Sequence, residues 1–271
     1  MSRENSRRIR YKRVLGLMKN CVIFASWVPN ITRGKEYIKY LEKFFIEYDI
    51  YVGINPISDP QWKHLLSNSK LNIIFEDVPE ELSLKTDTSA FQQGLKLLKN
   101  SKKSYNLVHF MHTKGMSYPD ENSSHIWKTS FVNYFVEYCK LKNTIENKII
   151  DNIGGCGGWA SIWFSANNDP HIKELDKYFA FKYKSQNIML FMTFYCLKFD
   201  IVDKFINGCD ESFFTKKLAL PYFFEFGFPH IASKSGFELT TNYWWSNGAV
   251  YNEQNYKLMK DEFVSQKEII C

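Results

Sequence analysis

The feature that most constrains the fold is a regular alternation of short apolar runs and amphipathic segments over residues 20–115. Each apolar run has the length and composition of a strand buried on both faces. The runs are Cys21–Trp27, Asp49–Asn55, Leu71–Phe75 and Tyr105–Met111. The segments between them have helical periodicity and are Lys35–Tyr48, Gln61–Ser67 and Thr88–Asn100. This β-α-β-α-β-α-β order predicts an α/β fold with a mostly parallel central sheet flanked by helices and joined by right-handed crossovers.

The second half is less regular and predicts a helical, aromatic-rich region. We expect a helix at Trp127–Asn147, a flexible loop at the glycine cluster Gly154–Gly158, and an aromatic strand at Trp159–Phe164. Two helices are expected within Asp169–Asp203, including the apolar run Ile188–Phe199, and a further helix at Glu211–Phe224. The sequence contains no internal repeat and no low-complexity linker, which favours a single domain over residues 20–257.

The positive charge of the chain is concentrated in its first residues. The formal net charge is +6, but residues 1–13 alone carry a balance of +5. The remaining body is nearly neutral, which argues against nucleic acid as a partner, since such binding depends on neutralising phosphates. We therefore divide the chain into a basic arm at 1–19, a domain at 20–257 and a tail at 258–271. At most, the arm makes a peripheral contact with a membrane surface.

Cysteine usage and apolar run length bear on the compartment. The six cysteines show no CxxC or zinc-finger spacing, and those in apolar runs are typical of small core residues in a reduced protein. The sequence contains no run approaching the ~20 apolar residues needed to span a bilayer. The expected location is the cytoplasm, with the membrane surface as the alternative.

The carboxyl ends of the predicted parallel strands mark the expected binding edge, because ligands of such sheets bind there. Directly after the fourth strand come His112, Thr113 and Lys114, followed by Gly115, which permits a tight turn. Lys114 could neutralise a diphosphate as a point charge and His112 could donate a hydrogen bond to it. Asp87 could cap the following helix or bond a ribose or sugar hydroxyl; both interpretations remain open.

Other motifs carry weaker signals. Asn242-Tyr-Trp-Trp245 suits the face and hydroxyl edge of a sugar ring, although aromatic strands are more often core. The glycine cluster lacks the spacing of dinucleotide and P-loop motifs, and Cys156 within it has no identifiable partner histidine for nucleophilic chemistry. The acidic pairs could hold a divalent cation through oxygen ligands, or lie on a solvated surface. They are Glu76-Asp77, Asp120-Glu121 and Asp210-Glu211.

Taken in order, these motifs resemble the GT-A-fold glycosyltransferases, in particular the rhamnan-synthesis-type and related polysaccharide enzymes. The matching segments span roughly residues 20–257. They are Val22–Ser26, Tyr37–Leu41, Asp87-Thr-Ser-Ala-Phe91, Tyr105 with His112-Thr-Lys-Gly115, Trp127, Ile153-Gly154 and Thr241-Asn-Tyr-Trp-Trp245. Two positions depart from the family pattern: Lys128 stands where an Arg is common, and Thr241 where a Gly is common.

The resemblance implies transfer of a sugar from a nucleoside-diphosphate sugar, such as a UDP-sugar, to a hydroxyl of a glycan or glycoprotein. It divides the domain into a nucleotide-binding half at 20–115 and an acceptor-binding half at 116–257. The implied donor-binding residues are Ala25, Ser26, Trp27, Asn55, Asp87, His112, Thr113 and Lys114. The implied acceptor-binding residues are Trp127, Asn242, Trp244 and Trp245. The candidates for a catalytic base are Glu238, Asp120 and Glu225.

The resemblance leaves the cofactor open. GT-A enzymes commonly hold Mn²⁺ or Mg²⁺ with an Asp-x-Asp motif, whereas this chain has His112-Thr-Lys114 in that place. Metal independence is therefore an alternative to Mn²⁺ or Mg²⁺. Two alternatives from other classes remain at this point. A carbohydrate-binding protein without activity could use the same aromatic residues, and a nucleic-acid-processing enzyme could use the basic arm.

Overall fold

A computed structural model describes residues 19–82, 87–113, 127–163, 187–189, 193–218, 223–246 and 249–251. The strands in these ranges are β1 Cys21–Ser26, β2 Asp49–Ile54, β3 Asn72–Asp77, β4 Leu107–His112, β5 Ile153–Trp163, β6 Asn187–Met189, β7 Tyr195–Lys198, β8 Glu238–Ser246 and β9 Ala249–Tyr251. The α-helices are α1 Ile31–Phe44, α2 Gln61–Ser67, α3 Thr88–Ser101, α4 Trp127–Lys148, α5 Phe199–Gly208 and α6 Phe223–Lys234. Short 3₁₀ helices lie at Glu80–Leu82 and Glu211–Phe214.

The strands form a mixed sheet in the order β3-β2-β1-β4-β7-β5-β8-β9, with β6 beside β5. The first four strands are mutually parallel. Strand β7 is antiparallel to both of its neighbours, β4 and β5, while β5 and β8 are parallel. The predicted α/β class is confirmed, and the sheet continues from residues 20–115 into the second half through the pairing of β4 with β7.

Helices cover both faces of the sheet because alternate residues of each strand point to opposite sides. Val22 and Phe24 of β1 pack with residues of α1, α2 and α4 in one apolar cluster. Ile23 and Ala25 pack with residues of α3, α5 and α6 in a second cluster. All four side chains of β1 are fully buried, which explains why the sequence of this strand is continuously apolar rather than alternating. No helix in the described ranges is both long and apolar enough to cross a membrane.

Helix α3 lies unusually close to the sheet because glycines stand at the contact. A Cβ added to Gly53 of β2 would lie 2.0 Å from the carbonyl oxygen of Ala90 in the first turn of α3. A Cβ added to Gly94 would lie 2.8 Å from Ile23 Cγ2 and 3.2 Å from the carbonyl oxygen of Tyr51. These two glycines therefore fix how near the start of α3 comes to the carboxyl ends of the central strands.

Two predictions for the second half were wrong. The glycine cluster is part of strand β5 and is not a loop. Small residues are needed there because a Cβ at Gly154 would lie 2.5 Å from Phe237 and a Cβ at Gly155 would lie 2.3 Å from Leu197. The apolar run predicted as a helix contains strands β6 and β7, and the helix that follows is α5, which begins at Phe199. A short, fully apolar run cannot be assigned to a helix or a strand by periodicity alone, which explains the error.

A third prediction, a helix over Glu211–Phe224, was also wrong. In the described part of this segment, residues 211–218, a 3₁₀ turn forms at the start, with Asp210 Oδ1 accepting a hydrogen bond from the Ser212 N–H at 2.7 Å. Helix α6 begins at Phe223, near the end of the predicted segment. Phe213, Phe223 and their aromatic neighbours fill the core beneath α3, so burial of the rings rather than helical periodicity determines this segment.

A buried polar network joins α4 to the sheet. Nε2 of His109 on β4 donates to Glu146 Oε1 at 2.9 Å, and Nδ1 accepts from the Tyr138 hydroxyl at 2.9 Å, since a carboxylate can only accept. The Tyr48 hydroxyl donates to the same Glu146 oxygen at 2.7 Å and accepts from Lys142 Nζ at 2.9 Å. Partial burial alone would raise the pKa of Glu146, but these donors and the charge of Lys142 lower it to about 2. Complete burial lowers the pKa of His109.

Both shifts predict loss of stability in acid. The unfolded chain takes up a proton at His109 below about pH 6.5 and at Glu146 below about pH 4.3, before the folded protein does. We therefore expect the free energy of unfolding to fall steadily as the pH decreases from about 6.5 towards about 2. Glu146→Gln should lower this energy by about 1–3 kcal/mol at pH 7 and flatten its pH dependence below about pH 4.3.

Urea titrations across this pH range measure the effect. Glu211→Gln is the matched control, because Glu211 is exposed and pairs with Lys99 at the surface. The control should follow the wild-type pH profile, and a Glu146→Gln profile parallel to wild type would contradict the assignment of acid lability to the network.

Candidate functional site

The strand order creates a crevice between the carboxyl ends of β1 and β4. From β1 the chain proceeds outward to β2 and β3, and then crosses back to β4 on the other side of β1. Helix α1, which follows β1, and helix α3, which leads back to β4, pack on opposite faces of the sheet. The strand order thus reverses between β1 and β4, which is where open α/β sheets bind ligands. Trp27 and Thr113 are the first residues beyond the two strands.

Thr113 ties the two strand ends together. Its backbone N–H donates to the Ala25 carbonyl at 3.1 Å. Its Oγ1 donates to the Trp27 carbonyl at 2.9 Å and accepts from the Trp27 N–H at 2.8 Å. Thr113 is only 3% exposed, so these bonds are shielded from water. The Thr113 hydroxyl therefore fixes the backbone of the crevice, and its contact with a donor stays a prediction.

This arrangement makes a stability prediction. Thr113→Val keeps the shape of the side chain but leaves the backbone groups of Trp27 without their side-chain partner. We expect the free energy of unfolding to fall by about 1–3 kcal/mol, as for a buried donor left unsatisfied. Urea denaturation measures this change, with the exposed Thr215→Val as the control, for which a change within about 0.5 kcal/mol is expected. Equal stability of both variants would contradict the role given to Thr113.

His112 and Asp87 form a hydrogen bond close to the contact between Thr113 and Trp27. Nδ1 of His112 lies 2.5 Å from Oδ2 of Asp87, in the residue that precedes α3. The imidazole is 2% exposed and the Asp87 side chain 31% exposed. The ring lies between Phe91 and Phe194, at centroid distances of 6.0 Å and 5.0 Å. The predicted helix-capping role of Asp87 was wrong, because its side chain makes no hydrogen bond to the N–H groups of α3.

Three more of the predicted donor-binding residues lie at the same edge. Ser26 donates from Oγ to the Gly53 carbonyl at 3.1 Å and accepts from Trp62 Nε1 at 3.1 Å, so its hydroxyl is used within the fold. The Asn55 side chain accepts from the Ile57 N–H at 3.2 Å and shapes the loop after β2. In contrast, the indole Nε1 of Trp27 is buried and has no hydrogen-bond partner in the part of the chain that the structure describes, so it is a candidate donor for a ligand.

The carboxylates at this edge do not gather into a cation site. Glu76 accepts from Gln93 Nε2 at 2.5 Å, while Asp77 pairs with Lys63. These neighbours point to opposite faces of the sheet, as successive strand residues do. Among the described residues, no group of three or more His, Cys, Asp or Glu side chains could hold a metal ion. The acidic pair Asp120-Glu121 lies outside the described residues, so the use of Mn²⁺ or Mg²⁺ stays a prediction.

The structure places one of the base candidates, Glu238, away from the crevice. Val108, Leu197, Gly155 and Leu239 form one row across four strands. Glu238 comes one residue earlier on β8, at the amino edge, whereas His112 lies at the carboxyl edge. Glu225 is 5% exposed in helix α6 among aromatic residues. Asp120 and Lys114 lie outside the described residues.

The predicted acceptor residues fall on β8 and α4. Tyr243 and Trp244 pair with Trp159 and Ala160 of β5, beyond the end of β7. This portion of β8 runs in the same direction as β4, so Asn242, Trp244 and Trp245 occupy the carboxyl side of the sheet, as His112 does. Trp127 is the first residue of α4. Cys156 is completely buried in the core, which does not suit a nucleophile.

Comparison with known proteins does not assign this chain to a family. No protein-family model matches the chain, and no curated protein matches its sequence. The assignment of function therefore rests on the residues at the crevice and on the order of the motifs.

Sequence reasoning missed how these residues are paired. The sequence predicted that His112 and Asp87 lie at the same edge of the sheet. It also predicted that Asp87 would cap a helix or bind a ligand, and it did not predict the hydrogen bond to His112. The usable signal was topological: a residue that precedes the helix between β3 and β4 must lie near the end of β1, and hence near the end of its neighbour β4. Nothing in the local sequence indicated that Thr113 would bond the backbone of Trp27.

Proposed function

We propose that this protein is a glycosyltransferase of the GT-A type that moves a sugar from a nucleoside-diphosphate sugar to a hydroxyl of a glycan or glycoprotein. The observation that carries the proposal is the crevice between β1 and β4. It combines a His112–Asp87 pair, whose imidazole is buried, with an indole N–H of Trp27 that has no hydrogen-bond partner among the described residues. Such a crevice, at the point where the strand order reverses, is where open α/β sheets bind nucleotides.

The chemistry of the crevice suits the leaving group of this reaction. Transfer breaks the bond between the sugar and the diphosphate, and negative charge accumulates on the diphosphate oxygens. A hydrogen-bond donor fixed at this position stabilises that charge without having to reorganise. His112 is held by Asp87, and Lys114 follows it by two residues in the sequence. We assign both side chains to the diphosphate.

The acceptor is assigned to the carboxyl side of β8. Asn242, Trp244 and Trp245 lie there, and tandem tryptophans beside an amide offer an apolar face and hydrogen-bond groups for a sugar ring. The proposal routes no step through a metal ion, because the described residues do not gather ligands for one. Cytoplasmic location, with peripheral membrane contact through the arm at most, belongs to the same proposal.

A thermal-shift screen of the full chain tests the proposal. The probes are UDP, GDP, dTDP and their common sugar conjugates, each with and without Mn²⁺. At 100 times the dissociation constant, a ligand stabilises a folded protein by about 2.7 kcal/mol, a shift of a few degrees for a chain of this size. We expect one nucleotide family to raise the melting temperature, and its sugar conjugate to release nucleoside diphosphate when a glycan acceptor is added.

Two outcomes would contradict the proposal. If no nucleoside diphosphate shifts the melting temperature, the crevice is not a donor site. If glycans bind but nucleoside diphosphate is never released from any donor, the protein is a carbohydrate-binding protein instead. Affinity for nucleic acid that vanishes when residues 1–13 are deleted would belong to the basic arm and not to the domain.

A further inference from the structure

Strand β3 ends the sheet on one side and presents a hydrogen-bonding edge. It pairs with β2, and no other strand in the described part of the chain lies beside it. We propose that this edge is the interface of a homodimer, in which β3 pairs antiparallel with β3 of a second copy about a twofold axis beside Ile74. The edge is separated from the crevice by β2, and the inference does not depend on the proposed function.

The pairing with β2 determines which backbone groups of β3 point outward. Alternate residues of a strand direct their N–H and C=O groups to opposite sides. The N–H of Val78, directly after β3, donates to the Ile54 carbonyl of β2 at 2.8 Å. Residues 72, 74 and 76 share this direction, so Ile73, Phe75 and residue 77 direct their groups to the open edge. The Ile73 N–H makes a local bond to the Leu71 carbonyl at 3.1 Å.

The centre of this edge lacks the features that usually prevent pairing with another chain. Exposed edges are commonly protected by charged residues, prolines or a bulge. The three central residues, Ile73–Phe75, are apolar, and the register with β2 is regular along the whole strand. Ile74 is 36% exposed although it lies in the sheet. An added strand would therefore satisfy backbone groups and bury apolar surface at the same time.

The charges at the two ends of β3 favour a second copy as the partner. Lys70 precedes the strand by two residues, and Glu76 lies near its end; both are exposed. Glu76 accepts a hydrogen bond from the neutral amide of Gln93, so this contact does not neutralise its charge. In an antiparallel pair of identical strands, the basic beginning of each lies beside the acidic end of the other. A parallel pair would bring like charges together, which is destabilising.

One register fits both the backbone and the side chains. Residues that exchange two hydrogen bonds across an antiparallel pair must both point outward, as Ile73 and Phe75 do. Pairing Ile73 with Phe75 of the second copy occurs twice about the axis and gives four N–H···O=C bonds. Ile74 then lies opposite Ile74 of the second copy, and Asn72 opposite Glu76. The two adjacent registers would place the exposed Ile74 opposite Asn72 or Glu76 instead.

The twofold axis also determines where the two crevices lie. Antiparallel pairing reverses the strand direction in the second copy, so the carboxyl edges of the two sheets face opposite ways. Dimerisation through β3 therefore leaves both crevices uncovered.

Sedimentation velocity of the full chain over a range of concentrations is the direct test. Because the interface is small, we expect a reversible dimer with a dissociation constant in the micromolar range. Ile74→Lys places like charges opposite each other and should weaken the dimer about 10-fold or more. Ile150→Lys is the matched control, since Ile150 is 60% exposed and lies before β5, away from β3. It should dimerise as the wild type does.

A charge exchange separates the interface from damage to the fold. Glu76→Lys brings two lysines together at each end of the paired strands and should weaken the dimer. Adding Lys70→Glu to the same chain should restore it, because the charges are then exchanged and again opposite. Circular dichroism and urea denaturation of each variant show that the fold is retained.

Cysteine cross-linking tests the register in a Cys271→Ser background. Ile74→Cys should form an intermolecular disulfide on mild oxidation, because directly opposite residues in the non-hydrogen-bonded position have Cα atoms about 4.5 Å apart. Glu76→Cys should not, because the two copies of this residue lie four positions apart along the strands, a separation of about 14 Å.

Four outcomes would overturn the inference. The first is a wild-type chain that remains monomeric up to about 100 µM, well above the expected dissociation constant. The second is a dimer that Ile74→Lys weakens no more than Ile150→Lys does. The third is failure of Lys70→Glu to restore a dimer lost in Glu76→Lys, and the fourth is cross-linking through Glu76→Cys but not through Ile74→Cys. The wild-type measurement needs no variant, so it remains decisive even if a substitution prevents folding.

Discussion

Gly53→Ala is expected to lower the free energy of unfolding by about 3 kcal/mol or more. The added methyl group would lie 2.0 Å from the Ala90 carbonyl oxygen and 2.7 Å from its carbonyl carbon. Both atoms belong to the backbone of α3, so no flexible side chain can move aside. The helix must shift as a whole, and overpacking of this kind costs more than rearranging one side chain. Urea denaturation of the purified variant measures the loss, and low soluble yield would be consistent with it.

Gly208→Ala is the control for this prediction. Gly208 ends helix α5, and no atom lies within 4 Å of a Cβ added there. The same substitution should be neutral or stabilise by up to about 1 kcal/mol, since alanine restricts the unfolded chain more than glycine. If the two variants had equal stability, the close approach of α3 to β2 would be contradicted.

His112→Gln is expected to reduce the release of nucleoside diphosphate from the preferred donor by about 100-fold or more. Glutamine lacks the imidazole ring, so the donor that Asp87 holds at this position is lost. Loss of a single fixed donor to a developing negative charge typically costs 10²- to 10³-fold in rate. The assay follows nucleoside diphosphate release with the donor identified by thermal shift and a glycan acceptor.

His64→Gln is the matched control. His64 is exposed on α2, where it bonds Asn68 at 2.9 Å, so turnover should remain at the wild-type level. Circular dichroism and urea denaturation of both variants show whether the fold is retained. Full turnover in a folded His112→Gln variant would remove His112 from the reaction.

The first half of the fold could be predicted because its signals are local and repeated. Four apolar runs became β1 to β4, and the helix predicted at Gln61–Ser67 has those bounds in the structure. Parallel strands separated by helices leave few topologies, since each crossover is right-handed. The parallel pairing of the first four strands therefore follows from the pattern of residues, whereas the return of the chain to place β4 beside β1 was not predicted.

The second half could not be predicted because its determinants are distant in sequence. Strand β7 is only four residues long, and it is a strand because β4 and β5 lie on either side of it. Glycine is required at these positions of β5 because Phe237 and Leu197 occupy the space that a Cβ would need. Neither fact is visible in a local window, so tertiary contacts override local preference here.

The sequence predicted the edge of the sheet at which the candidate residues lie, but not the hydrogen bonds between them. His112, Thr113, Trp27 and Asn55 lie at the expected edge, as the topological rule requires. The hydrogen bonds of the Thr113 and Ser26 hydroxyls to backbone carbonyls were not predicted. Hydrogen-bond partners depend on distances of a few tenths of an ångström between separate elements, which sequence periodicity does not encode.

The position of β7 between β4 and β5 has a consequence for synthesis on the ribosome. Strand β4 is complete when residue 112 has been made, but its neighbour β7 begins only at Tyr195. During the intervening synthesis, the hydrogen-bonding edge of an apolar strand lacks its native partner. Such an edge can pair with other chains. Newly made chains that stop between these points should therefore aggregate or bind chaperones, and truncation near residue 115 should not give an independently folding nucleotide-binding unit.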